Sequence, residues 1–149
     1  MSANMHAGTP AYAGAFNPQY QATLLLVGRI LMALLFVWFG YLKASNWGGT
    51  ETYFAKWGFS WAPWLGAALA VIFELGGGIA LLAGWKTRWV AWLLVLFVAI
   101  ATFMAHRFWA VDAAQYANQL NNFLKNIAVI GGLLMLVAHG PGSASVDKR

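Results

Sequence analysis

Four long apolar runs dominate this chain: residues 22–42, 64–85, 89–106 and 123–139. At 1.5 Å per residue the first is about 30 Å long as a helix, the thickness of a bilayer's hydrocarbon core. Backbone in lipid must satisfy its own hydrogen bonds, and helices of this length do so. The prediction is all-α: an integral-membrane, up-down bundle of four helices. Composition agrees, with 61% hydrophobic and 9% charged residues, against about 25% charged in a soluble domain. Nine tryptophans suit the membrane–water boundary.

Residues 1–21 are small, polar and free of Lys and Arg, and read as a mobile tail rather than a signal peptide. Residues 140–149 read as a polar tail leaving the membrane. "KTR" at 86–88 is a tight hairpin. In the longer connection 43–63, Gly48-Gly49 breaks the chain and Thr50 is placed to cap a short interfacial helix carrying Tyr53, Phe54 and Trp57 on one side. Residues 107–122 have helical composition and extend helix three or four. Gly76, Ala80 and Gly84 on helix two, and Ala128 and Gly132 on helix four, form small-residue rows that permit close packing and a homodimer.

The net charge of +5 is scattered rather than patched, which argues against nucleic acid. With no cysteine, disulfides, thiol redox chemistry and thiolate metal sites are excluded, and no metal site is expected.

Ionisable residues inside the spans are the informative exceptions. Up-down threading puts the termini and the "KTR" turn at one face, A. Lys43, His106, Arg107, Asn122, Lys125 and Asn126 then gather at the other face, B, with Glu74 beneath them. At 100° per residue, Arg29, Ala33, Phe36, Gly40 and Lys43 share one stripe. Arg88, Trp92, Val95, Ala99, Thr102 and His106 share another, and Asn122, Lys125, Asn126, Val129, Gly132 and Leu133 a third. The expectation is a hydrated pocket open to face B, floored by Glu74 and roofed by Trp47, Trp57, Trp61 and Trp109. His106 and the tryptophans Trp57, Trp61 and Trp109 are its candidate ligand contacts. Plainer readings stay open: Arg29 pairs with Glu74 or reaches face A, Lys43, Arg107 and Lys125 reach water and headgroups at their helix ends, His106 is an interfacial polar residue, and Arg88 meets lipid headgroups. His139 lies at the face away from His106, so one haem held by both runs against the geometry.

"FGYLK" closing helix one, "FELGGGIALLAGWKTRWVAW" across the hairpin, "HRFW", "FLKN" and "GPGSASVD" follow in order. This pattern resembles the DoxX family of small bacterial membrane proteins over roughly residues 24–147. The resemblance implies a four-helix inner-membrane protein, and some members are described as partners in membrane oxidoreductase complexes. It carries Lys43, Glu74, Arg88, His106 and Lys125 over as candidate functional residues.

Three functions follow as expectations. The first is a membrane subunit or partner of an oxidoreductase, whose pocket holds a quinone or lipid while a partner subunit supplies the redox centre. The second is a non-enzymatic scaffold or assembly factor, and the third a small transporter or channel. Excluding Arg29, four basic residues lie near each face. Termini in the cytoplasm are favoured because Lys43 and Lys125 are committed to the pocket.

Overall fold

A computed structural model describes residues 17–147. It is helical throughout, with no strand among the described residues, and four helices are long and apolar enough to cross a membrane. The first, α1, runs Pro18–Ser45. A short helix, α2, runs Trp47–Lys56. The second span is α3 (Pro63–Val71), a π-helical turn (Ile72–Gly76) and α4 (Gly77–Ala83) in succession. The third span contains α5, Thr87–Ala105, and the fourth is α6, Ala113–His139. Helix α1 packs on α4 and α6, α4 packs on α5, and α5 packs on α6, which closes a four-membered ring.

Ala33, Phe36, Leu81, Ala91, Leu94, Val98, Leu133 and Leu136 fill the centre of that ring. Large apolar side chains also cover the outside, including Leu31, Leu96, Ile100 and Met135, as a chain dissolved in lipid requires. Exposed tryptophans ring both ends, Trp85 and Trp89 at A and Trp61, Trp64 and Trp109 at B, at the depth where indole is favoured.

Several local expectations are corrected. Helix α1 starts at Pro18, inside the stretch assigned to the N-terminal tail, because Asn17 caps it by accepting from Gln19 N and Pro18 suits the first turn. Residues 1–16 of that tail lie outside the described residues. Gly48 and Gly49 do not break the chain. They form the first turn of α2, whose cap is Asn46 rather than Thr50. The Asn46 amide occupies the space a Gly49 side chain would need. Thr50 is buried within the helix, its hydroxyl shared between the carbonyls of Lys43 and Asn46. The connection after α5 lengthens the fourth helix by starting α6 at Ala113, where the Asp112 carboxylate accepts from Gln115 N.

The small-residue row on the second span holds in part: Ala80 packs against the core and Gly84 lies against Ser145 and Arg29. The π turn shifts the helical phase, so Gly76 meets open space, while Gly78 lies against Phe36 and Val37 and Gly77 against Leu94. Gly40 of α1 lies directly on the backbone of Leu75. Glycine is required there because any side chain would collide with main chain that cannot yield. Of the proposed row on α6, Ala128 is exposed and Gly132 lies against Met32.

The C-terminal segment turns back onto the bundle rather than leaving the membrane. Gly140 and Pro141 are buried. Val146 N donates to Ala83 O and Asp147 N to Gly84 O. The Asp147 carboxylate accepts from Lys86 N and Thr87 N, which caps α5 from outside its own segment.

Candidate functional site

The B end of the ring holds a cavity of about 260 Å³ between α1, α2, the π turn, α5 and α6. Lys43, Glu74, His106, Asn122, Lys125 and Asn126 line it, together with Trp57. Helix α1 brings Lys43 there at the end of its buried stripe Arg29, Ala33, Phe36 and Gly40. The π turn carries Glu74 inward, and Lys43 Nζ donates to Glu74 Oε2 at 2.7 Å. Among the described residues this is the one salt bridge, with the carboxylate side 13% exposed and the ammonium side 25%.

Lys125 reaches the same space from α6. Its Nζ donates to Asn122 Oδ1 at 3.1 Å and lies 5.9 Å from the centre of the Phe39 ring. Lys43 Nζ lies 5.6 Å from that ring. Two ammonium groups therefore share one aromatic face or edge, and only Lys43 has a carboxylate partner. His106, just past the end of α5, has Nδ1 3.0 Å from Gln119 Oε1. An amide oxygen only accepts, so in this arrangement Nδ1 carries the proton and Nε2 is left as an acceptor. Asn126 donates to Thr102 Oγ1 at 3.0 Å, and Thr102 donates in turn to Val98 O. That chain fixes the Asn126 amide against α5.

Aromatic side chains make the walls. Phe73 stacks on Phe97 with ring centres 5.3 Å apart, and Phe97, Phe39, Tyr53 and Phe54 line the cavity. The Tyr53 hydroxyl, outside the spans, is pushed above the ordinary phenol range by burial and then by the charge of Glu74. It stays protonated at neutral pH and remains a donor.

The other candidates stand apart from this cavity. Arg29 does not meet Glu74. Gly40 rests on Leu75, so Glu74 lies level with the B end of α1, and Arg29 is eleven residues away along that helix, about 16 Å. Its buried guanidinium donates instead to the carbonyls of Pro141 and Ala144 in the returning C-terminal segment. Arg88 is exposed at the A end, beside Gly140. The stripe drawn through it is rotated from the true inner face of α5, which is Thr87, Val90, Ala91, Leu94, Val98, Thr102 and Ala105. Arg107 is exposed and lies over Trp57, 5.6 Å from its ring centre. Of the four tryptophans expected as a roof, only Trp57 lines the cavity. Trp61 is 74% exposed, Trp109 packs on Phe108 and Phe123, and Trp47 donates to Glu51.

Phe39, Phe97, Met104 and Gln119 were not singled out from the sequence. Phe39 stands one turn before Lys43 on its helix, a spacing that signals contact. Gln119 carries no such signal, because its approach to His106 depends on the break at residues 106–112.

Comparison with known proteins agrees with placement in a membrane. The DoxX family model matches residues 24–107. The chain is 33% identical over 136 residues to inner membrane protein YphA of Escherichia coli K12, covering 91% of this chain and 94% of that protein. It is 36% identical over 124 residues to inner membrane protein YqjF of the same organism, covering 83% and 89%. A Surfeit locus protein 4 homolog of Schizosaccharomyces pombe is 30% identical over 98% of this chain but only 43% of its own length. No solved structure matches the chain significantly. Four spanning helices and a family match over more than half its length make this chain an integral membrane protein of the DoxX family.

Proposed function

We propose that the chain is the membrane subunit or partner of a quinone-linked oxidoreductase, and that the B-end cavity receives the quinone ring. The observation that carries this reading is the pairing of an aromatic-walled space of about 260 Å³ with donors for a carbonyl. Lys43, Lys125 and the Asn122 amide offer N–H groups to a ring oxygen, and Tyr53 offers a hydroxyl. A cavity of about 150 Å³ already accepts a benzene ring, so a substituted ring fits. His106 Nε2 and Glu74 can accept a hydroxyl proton from the reduced form of the ring. Electron transfer belongs to a partner subunit, which supplies the redox centre. Bacterial inner-membrane placement is supported by the names of the YphA and YqjF relatives.

Ubiquinone-1 titrated onto purified protein in detergent should quench tryptophan fluorescence saturably, with Trp57 giving much of the signal. His106→Ala should weaken the apparent affinity by about ten-fold, the worth of one hydrogen bond in a desolvated site. Linear, non-saturable quenching that His106→Ala leaves unchanged would refute the assignment.

A further inference from the structure

The charges around the cavity do not cancel. Among the described residues Glu74 is the one carboxylate lining it, and that carboxylate is taken by Lys43 at 2.7 Å. Lys125, an exposed residue of α6, donates among the described residues only to the neutral Asn122 oxygen. Tyr53 and His106 add no negative charge. The lining thus carries at least one uncompensated positive charge, at the Lys125 ammonium beside the Phe39 ring. Asparagine holds that ammonium in place without neutralising it.

We propose that Lys125 makes this cavity selective for a ring ligand that carries a negative charge, a quinonoid or aromatic ring with an ionised hydroxyl. The inference rests on the reading of the cavity as a quinone-type site and names the charge state that site prefers. The Lys125 ammonium has further N–H groups to offer an ionised oxygen, and a bond between two opposite charges is stronger than its bond to the neutral Asn122 amide. Phe39 supplies the face on which the ring lies, within reach of both ammonium groups. Lys43 cannot serve the same purpose, because its charge is already engaged by Glu74.

The test uses two ligands that differ in charge and little in shape. 2-Hydroxy-1,4-naphthoquinone is a vinylogous acid and an anion at neutral pH, and 2-methoxy-1,4-naphthoquinone is its neutral counterpart. Both are measured by displacement of ubiquinone-1 from the full-length protein in a non-ionic detergent. The hydroxy compound should bind about ten-fold more tightly than the methoxy compound, the worth of one charged hydrogen bond. In Lys125→Met both ligands should bind more weakly and the preference should collapse to near unity, while an unchanged thermal midpoint in the same detergent shows that the variant is folded. Lys125→Arg should retain the preference.

Equal affinity of the wild type for the two ligands would overturn the inference and leave the quinone-site reading standing. A preference that survives in Lys125→Met would overturn it as well. Failure of both ligands to displace ubiquinone-1 would remove the quinone-site reading, and this inference with it.

Discussion

At the scale of single residues, the Lys43–Glu74 pair sets the character of the B-end cavity. Its two members come from different spans and meet in an environment where either charge alone is poorly solvated. Truncating one partner leaves the other exposed to that cost, whereas removing both leaves two neutral side chains. Glu74 is the less exposed of the two, so Lys43→Met strands the more buried charge. Both side chains keep some exposure, so the substitution should cost about 3 kcal/mol, the low end for breaking a buried pair. Lys43→Met combined with Glu74→Gln should recover part of that loss, and the cycle of thermal midpoints in detergent gives the coupling. Strict additivity of the two substitutions would mean that the contact stabilises nothing. That a carboxylate in the second span needs a cation was legible from the sequence, since a bare charge in lipid is costly. Its partner was not legible. Arg29 and Lys43 lie on one stripe of α1, and only the seating of Gly40 on Leu75 decides between them.

At the scale of elements, that seating depends on the π turn. A fixed four-residue period puts Gly76, Ala80 and Gly84 on one face of the second span. The wider turn at Ile72–Gly76 changes the phase, so Gly77 and Gly78 face the neighbouring helices and Gly76 does not. Fixed-period arithmetic therefore located α1's buried face correctly and misplaced some contacts of the second span. The same reasoning fails for α5, where Arg88 at the membrane boundary was counted into an inward stripe although it reaches out beside Gly140. These assignments separate experimentally. Gly40→Ala places a methyl group against Leu75 backbone and should destabilise the protein by about 1–3 kcal/mol. Gly76→Ala adds the same methyl group to open space and should be neutral within about 0.5 kcal/mol. Denaturation of the two variants in mixed micelles compares them directly, and a larger loss for Gly76→Ala would contradict the packing of the second span.

At the scale of the whole molecule, the two ends of the bundle are closed by different means. The B end gathers polar groups around a cavity, beneath the short helix α2. The A end is closed by the chain itself, because residues 140–147 return across it and are held at two levels. Asp147 caps α5, and Arg29 reaches up from α1 to the carbonyls of Pro141 and Ala144. Read as a string of residues, "GPGSASVD" has the composition of a loop bound for water, and nothing local in it announces a partner 112 or 115 residues earlier in the chain. An arginine inside the first span was the one available hint, since a buried guanidinium must find acceptors somewhere. The dependence runs both ways. Ending the chain after Gly140 removes both carbonyls and leaves Arg29 charged, buried and without acceptors. It should therefore lower the thermal midpoint far more than loss of a solvated tail would. Adding Arg29→Met to the shortened chain removes the stranded charge and should restore much of that loss, whereas Arg29→Met in the full-length protein should be destabilising. Thermal unfolding of the four proteins in one detergent tests this. A shortened chain as stable as the full-length one would show that the returning segment holds nothing closed.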